Sequence, residues 1–153
     1  MTKLKVGIVD YGLGNHGSLD KNLNALGFRC TVSDDCTVLD ACDLLLLPGV
    51  GSFRPAMQAI KNKKLDLFLI NEAAEDKPIL GICLGMQALL SHSEENNGTN
   101  ALNIIPGRVR QFDNTLSRAE RDFKVPHMGW NHVHQLFSHP LWKDIEQDSR
   151  FYF

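Results

Sequence analysis

Apolar positions fall into short runs broken by turns rich in glycine and proline. Leu4 to Asp10, with Leu4, Val6, Ile8 and Val9 apolar, reads as a buried strand, and a glycine-rich turn follows from Tyr11 to Gly17. Leu19, Leu23 and Leu26 then share one helical face, with Ser18 placed to cap the helix and Gly27 to stop it. Phe28 to Val32 reads as a second strand. The unbroken run Leu44-Leu45-Leu46-Leu47, closed by Pro48-Gly49, suits a strand covered on both faces, as in a parallel sheet. Phe53, Met57 and Ile60 mark a short helix, and Leu65 to Glu75 a longer one with Phe68, Leu69 and Ala73 on one side. Pro78 to Cys83 is strand-like and Leu84 to Leu90 helical. This alternation predicts an open α/β fold, its sheet mostly parallel with helices on both faces.

After Ser91 the pattern changes. Glu94 to Asn103 is polar and loop-like, Arg108 to Phe112 alternates like a more exposed strand, and Asp113 to Asp122 is polar again. Phe151-Tyr152-Phe153 has the strand propensity of the opening of a core strand whose continuation lies beyond the sequence. A chain of 153 residues is one domain's worth, and 43% apolar content is ordinary for a globular protein. A net charge of −2 leaves no basic footprint for nucleic acid. No apolar run approaches the roughly 20 residues that cross a bilayer, and the first residues do not form a signal peptide. The expected location is the cytoplasm.

Four cysteines stand at 30, 36, 42 and 83. The even spacing of the first three fits neither a zinc knuckle nor a redox pair, so no metal site is expected and these three read as small packing residues. Cys83 lies in Gly81-Ile82-Cys83-Leu84-Gly85, between a strand and a helix, which is the form of a nucleophile elbow. A nucleophile on so sharp a turn needs neighbours without side chains. The helix start favours thiolate, and the N–H of Leu84 is placed to hold an oxyanion. The competing reading is a buried cysteine between packing glycines.

Leu47-Pro48-Gly49-Val50-Gly51 ends the other apolar strand and is a candidate second oxyanion donor, if the two strands are neighbours. Gly12-Leu13-Gly14-Asn15-His16-Gly17 has the literal form of a dinucleotide fingerprint, with Asp34 and Asp35 about 20 residues on. Pro126-His127-Met128-Gly129-Trp130-Asn131 reads either as a partner surface or as a loop anchored in the core by Trp130. Neither position nor spacing pairs any of the six histidines with a carboxylate.

Together with Asp10 to Asn15, Ser93-Glu94-Glu95, Ile105 to Val109 and Phe151 to Phe153, these segments resemble the glutaminase subunits of imidazole glycerol phosphate synthase, a family of class I glutamine amidotransferases. The resemblance implies a three-layer, flavodoxin-like α/β fold, incomplete at the C-terminus, and no cofactor. It implies that Cys83 attacks the side-chain amide of glutamine to form a glutamyl thioester, with the oxyanion held by Leu84 and by Gly49, Val50 and Gly51. Gly51, Gln87 and Glu95 would hold glutamine. Ammonia would pass to a barrel-shaped synthase (cyclase) subunit in a heterodimer of histidine biosynthesis, with Asn15, Met128, Trp130 and Asn131 on the side facing it.

The family's later His-Pro-Glu motif carries the general base and its orienting carboxylate. It does not occur in these 153 residues. The sequence is therefore expected to be a C-terminally truncated member, impaired or inactive as it stands. Ala101-Leu102-Asn103 also departs from the family's Gly-Leu-Gly-like stretch, and His16-Gly17 from its usual first glycine loop. Two alternatives stay open. One is an amidotransferase serving another synthase, for example in amino-sugar synthesis for surface polysaccharide; the other is a non-enzymatic fragment.

Overall fold

Four of the apolar runs form one parallel sheet. The computed structural model describes residues 4–112 and 127–153. In chain order the first part contains β1 (Lys5–Val9), α1 (His16–Ala25), β2 (Arg29–Ser33), α2 (Cys36–Asp40), β3 (Leu44–Gly49), α3 (Phe53–Asn62), α4 (Leu65–Ala74), β4 (Ile79–Cys83) and α5 (Leu84–Leu89). The sheet order is β2-β1-β3-β4, every neighbouring pair parallel. Connections step outward from β1 to β2, then cross back to β3 and continue to β4. The direction reverses between β1 and β3, which opens a crevice at the carboxyl ends of those strands.

The core explains the apolar spacing. Val9, Leu45 and Leu47 on one sheet face meet Phe53, Ala56, Met57 and Ile60 of α3 and Leu65 and Leu69 of α4, all buried. On the other face Val6, Ile8 and Leu46 are buried against Leu19 and Leu23 of α1. Leu26, expected on that same helical face, is the C-cap of α1 and stays exposed, because the helix has already ended.

Local chemistry moved two boundaries. Helix α1 begins at His16, and its N-cap lies three residues before the expected Ser18. Its cap is Asn15, whose side-chain oxygen accepts from the Ser18 N–H at 3.3 Å. Helix α2 was not foreseen. Asp35 starts it by accepting from the Thr37 N–H at 2.8 Å.

The stretch after Ser91 is short-stranded rather than purely loop. β5 (His92–Ser93) pairs antiparallel with β6 (Thr99–Asn100) and parallel with β7 (Arg108–Val109). The segment from Asp113 to Asp122, expected to be polar connection, lies outside the described residues.

The chain divides into two compact units between Gln111 and Phe112. In the second unit β8 (Trp130–His132) pairs antiparallel with β9 (Arg150–Tyr152), and a 3-10 turn spans Pro140–Trp142. The strand expected at Phe151-Tyr152-Phe153 is present as β9, which covers Phe151 and Tyr152. Strand β9 has one short partner, and Tyr152 and Phe153 are exposed.

Candidate active site

Parallel strands deliver their carboxyl ends to one edge, and the register of β3 on β4 pairs Gly49 directly with Cys83. The loop Gly49-Val50-Gly51 and the cysteine are thus neighbours. Cys83 has φ 54° and ψ −115°, a region an L-residue occupies only under strain, and it stands at the junction of β4 and α5 as the helix N-cap. That strain is held by close packing. A Cβ on Gly85 would lie 1.7 Å from the Leu47 carbonyl oxygen, and one on Gly81 would lie 2.5 Å from the Met86 Cα. A Cβ on Gly49 would lie 2.1 Å from the Tyr11 hydroxyl oxygen and 3.0 Å from the Gly85 nitrogen. The glycines are needed because backbone touches backbone beneath the cysteine.

Cys83 is exposed, whereas Cys42 is buried and Cys30 and Cys36 are half-buried. Burial pushes the thiols of Cys30, Cys36 and Cys42 up from their ordinary value. These three are the poorer nucleophiles by location. Among the described residues, no group of three or more His, Cys, Asp or Glu side chains is gathered to hold a metal ion.

The other expected site residues divide between the two units. Leu84 is the first residue of α5, its side chain buried. Gly49 is buried, whereas Val50 and Gly51 are exposed; Gly51 takes φ 100°, which glycine alone adopts freely. Gln87 lies in α5, one helical turn beyond Cys83 and half-buried. Glu95 comes back onto the loop from the β5–β6 connection: its Oε1 accepts from the Phe53 N–H at 3.0 Å and the Ser52 hydroxyl at 2.9 Å. Asn15 is at the same sheet edge, with its side-chain oxygen engaged as the α1 cap. Met128, Trp130 and Asn131 belong to the second unit. There Met128 and Trp130 are exposed, Trp130 meets Tyr152 edge-on, and the Asn131 side chain accepts from the His132 N–H. Trp130 does not anchor a loop in a core of that unit.

Two features escaped the sequence. Tyr11 is 2% exposed, with its hydroxyl wedged over Gly49 at the β1–β3 crevice. Burial, and then the nearness of Cys83, push its phenol up to about 12. The tyrosine directly follows Asp10 at the end of β1, so its place at the crevice was the available signal. Histidine pairing was also missed. His134 Nδ1 lies 2.8 Å from Asp148, and His16 Nδ1 lies 3.7 Å from Asp10. The first is a contact across β-strand flanks, invisible to spacing. In the second, the turn from Asp10 folds back over six residues of chain.

The dinucleotide reading loses its acid. Asp34 pairs with Lys63 at 2.9 Å, and Asp35 caps α2, so neither stands free at the end of β2 to hold a ribose.

The family model for class I glutamine amidotransferases matches residues 7–152 of the chain. The chain belongs to the class I glutamine amidotransferases. It is 46% identical over 149 residues to imidazole glycerol phosphate synthase subunit HisH 1 of Pseudomonas aeruginosa, covering 97% of this chain and 70% of that protein. It is likewise 46% identical to subunit HisH of Pseudomonas putida and 45% identical to that of Nitrosococcus oceani, over 70% and 69% of their lengths. Within the class I amidotransferases, this places the chain in the HisH family. A solved structure described as a glutamine amidotransferase superposes with a TM-score of 0.59 at 16% identity, covering 67% of this chain and 54% of that one. A peptidase E-like protein from Listeria monocytogenes superposes at 0.55 with 19% identity, covering 67% and 63%. At such identities the two superpositions speak to the shared α/β fold alone.

Proposed function

We propose that the chain is the glutaminase subunit of an imidazole glycerol phosphate synthase and that Cys83 is its nucleophile. The observation that carries this reading is the pairing of Gly49 with the strained, exposed Cys83. In the proposed reaction the Cys83 thiolate adds to the amide carbon of glutamine. The oxygen gains charge and is held by the Leu84 N–H and a loop N–H from Gly49 to Gly51. The carbon–nitrogen bond breaks, nitrogen takes a proton and leaves as ammonia, and a glutamyl thioester remains for water to hydrolyse. Gly51, Gln87 and Glu95 hold the glutamine. Ammonia passes to a barrel-shaped synthase subunit in the cytoplasm, with Asn15 in the first unit and Met128, Trp130 and Asn131 in the second as its candidate contacts. No cofactor takes part.

The proton for ammonia and the activation of water call for a base oriented by a carboxylate. His-Pro-Glu supplies neither within these 153 residues. The 153-residue polypeptide should therefore be slow both to expel ammonia and to release glutamate, while its thiol can still take an alkylating glutamine analogue. Incubated with a diazoketone analogue of glutamine, it should become labelled at Cys83, and Cys83→Ser should lose all label by peptide mass spectrometry. Glutamate release with the synthase subunit present should fall about 10⁴-fold or more below a complete triad. Turnover at the full rate would sink the claim of impairment, and label on Cys30, Cys36 or Cys42 instead would sink the nucleophile. Retention by a different synthase in co-purification would favour the amino-sugar alternative. An unlabelled but folded chain would favour a non-enzymatic fragment.

A further inference from the structure

Helix α3 begins immediately after the Gly49-Val50-Gly51 loop, yet its own cap residue does not cap it. Ser52 makes no side-chain bond to the first turn, and that turn holds no acidic residue. The capping comes from residues 94–98, between β5 and β6. Glu95 Oε1 accepts from the Phe53 N–H, and Asn96 Oδ1 accepts from the Arg54 N–H at 3.3 Å. The Ser52 hydroxyl turns outward and shares its one proton between Glu95 Oε1 at 2.9 Å and Asn96 Oδ1 at 3.1 Å.

The same connection is strapped from the other side. The Arg54 guanidinium donates to the carbonyls of Asn96 and Gly98, the latter at 3.2 Å, and to Thr99 Oγ1 at 3.4 Å. Its backbone is strained: Asn96, Asn97 and Gly98 all have positive φ, at 56°, 62° and 86°. At its root the fully buried Ser93 accepts the Glu95 N–H at 3.2 Å. Three consecutive left-handed residues persist only where surrounding bonds over-determine them. Here Arg54 and Asn96 supply those bonds.

We propose that Asn96 and Arg54 are positioning residues that fix the glycine loop and aim Glu95 for glutamine. The inference rests on the amidotransferase reading and deepens it. By engaging Glu95 Oε1 with the start of α3, the clamp ties the glutamine-binding carboxylate to the residue following Gly51. Among the described residues Oε2 has no partner, so it is the oxygen left for the substrate's amino group. Occupancy at Glu95 and the setting of the oxyanion loop thereby become one event.

The test uses the 153-residue chain and two alkylating probes at Cys83, the diazoketone glutamine analogue and iodoacetamide. The first must be seated by Glu95 and the loop; the second needs only the thiolate. Asn96→Gly removes the acceptor while relieving the backbone. Asn96→Asp keeps the acceptor and tolerates the left-handed conformation. Arg54→Met keeps the stem and removes the strap. The expected result is a loss of about tenfold or more in analogue labelling for Asn96→Gly and Arg54→Met. Asn96→Asp should label at the parent rate, and iodoacetamide should react within about twofold throughout. Analogue labelling at the parent rate in both Asn96→Gly and Arg54→Met overturns the proposal, as does an Asn96→Asp loss equal to that of Asn96→Gly. If the parent reacts with iodoacetamide but not with the analogue, the amidotransferase reading itself fails, and the clamp with it.

Discussion

Tyr11 carries the least expected chemistry of any single residue here. Its phenol is buried between β1 and Gly49, next to Cys83, and burial first and that neighbour second push its ionisation up to about 12 from an ordinary 10.0. The folded state therefore keeps the proton longer than the unfolded chain does. The resulting stability is complete below pH 10 and is lost as pH rises from there through about 12, because the unfolded chain ionises first. In a Tyr152→Phe background, leaving Tyr11 as the sole tyrosine, near-ultraviolet absorbance should show ionisation near 12 in the folded chain. A midpoint near 10 would show that the phenol reaches water. This residue also marks a limit of what sequence shows. The Gly-x-Cys-x-Gly pattern announces a turn, and Leu47 to Gly51 a loop, but nothing in either says that a tyrosine from a third segment fills the space between them.

Elements were legible where period and punctuation agreed. Strands β1, β3 and β4 and helices α3 and α4 fall within a residue or two of their expected spans, because Leu44 to Leu47 is uniformly apolar and Phe53, Met57 and Ile60 repeat at helical spacing. Helix α2 has five residues and only Leu39 buried, too little for a periodic signal, so its cap Asp35 was the sole clue. The 94–98 connection reads as polar loop in sequence because its bonds run to Ser52, Phe53 and Arg54, more than forty positions earlier in the chain. At this scale the junction of β4 and α5 makes a sharp prediction. Gly85→Ala places a Cβ 1.7 Å from the Leu47 carbonyl oxygen, which forces α5 away from β3. Urea unfolding should show a loss of about 3 kcal/mol. Analogue labelling at Cys83 should fall with it, since the elbow and the loop part company. An unchanged midpoint would mean the contact relaxes without cost.

Across the first unit as a whole, one lysine links the layer that backs the sheet. Lys77, just before β4, is paired with Glu72 of α4 and donates to the Asp40 carbonyl at the end of α2 at 2.7 Å. Burial works against its charge, and Glu72 and Asp40 outweigh it, so its ammonium is held above the ordinary range. Lys77→Met should lower unfolding stability by about 1–3 kcal/mol, because the largely buried Glu72 carboxylate loses its partner. Adding Glu72→Leu should recover part of that loss in a double-mutant cycle. Strict additivity would show that the pair is not coupled. The mostly parallel sheet followed from alternating strands and helices, whereas the strand order and this tie did not, since both depend on which elements converge in space.

The interlock of Gly49, Gly81 and Gly85 also bears on how such a chain changes over generations. Substitutions are ordinarily tolerated in small steps, each a fraction of a methyl group absorbed by a shifting neighbour. Here the smallest step available, glycine to alanine, meets backbone at Gly81 and Gly85 and a buried phenol at Gly49. Neutral drift thus has no gradual route through the elbow. A lineage that had ceased to use Cys83 would still keep these glycines for as long as it kept the fold, so their presence reports the packing beneath the cysteine and not its use.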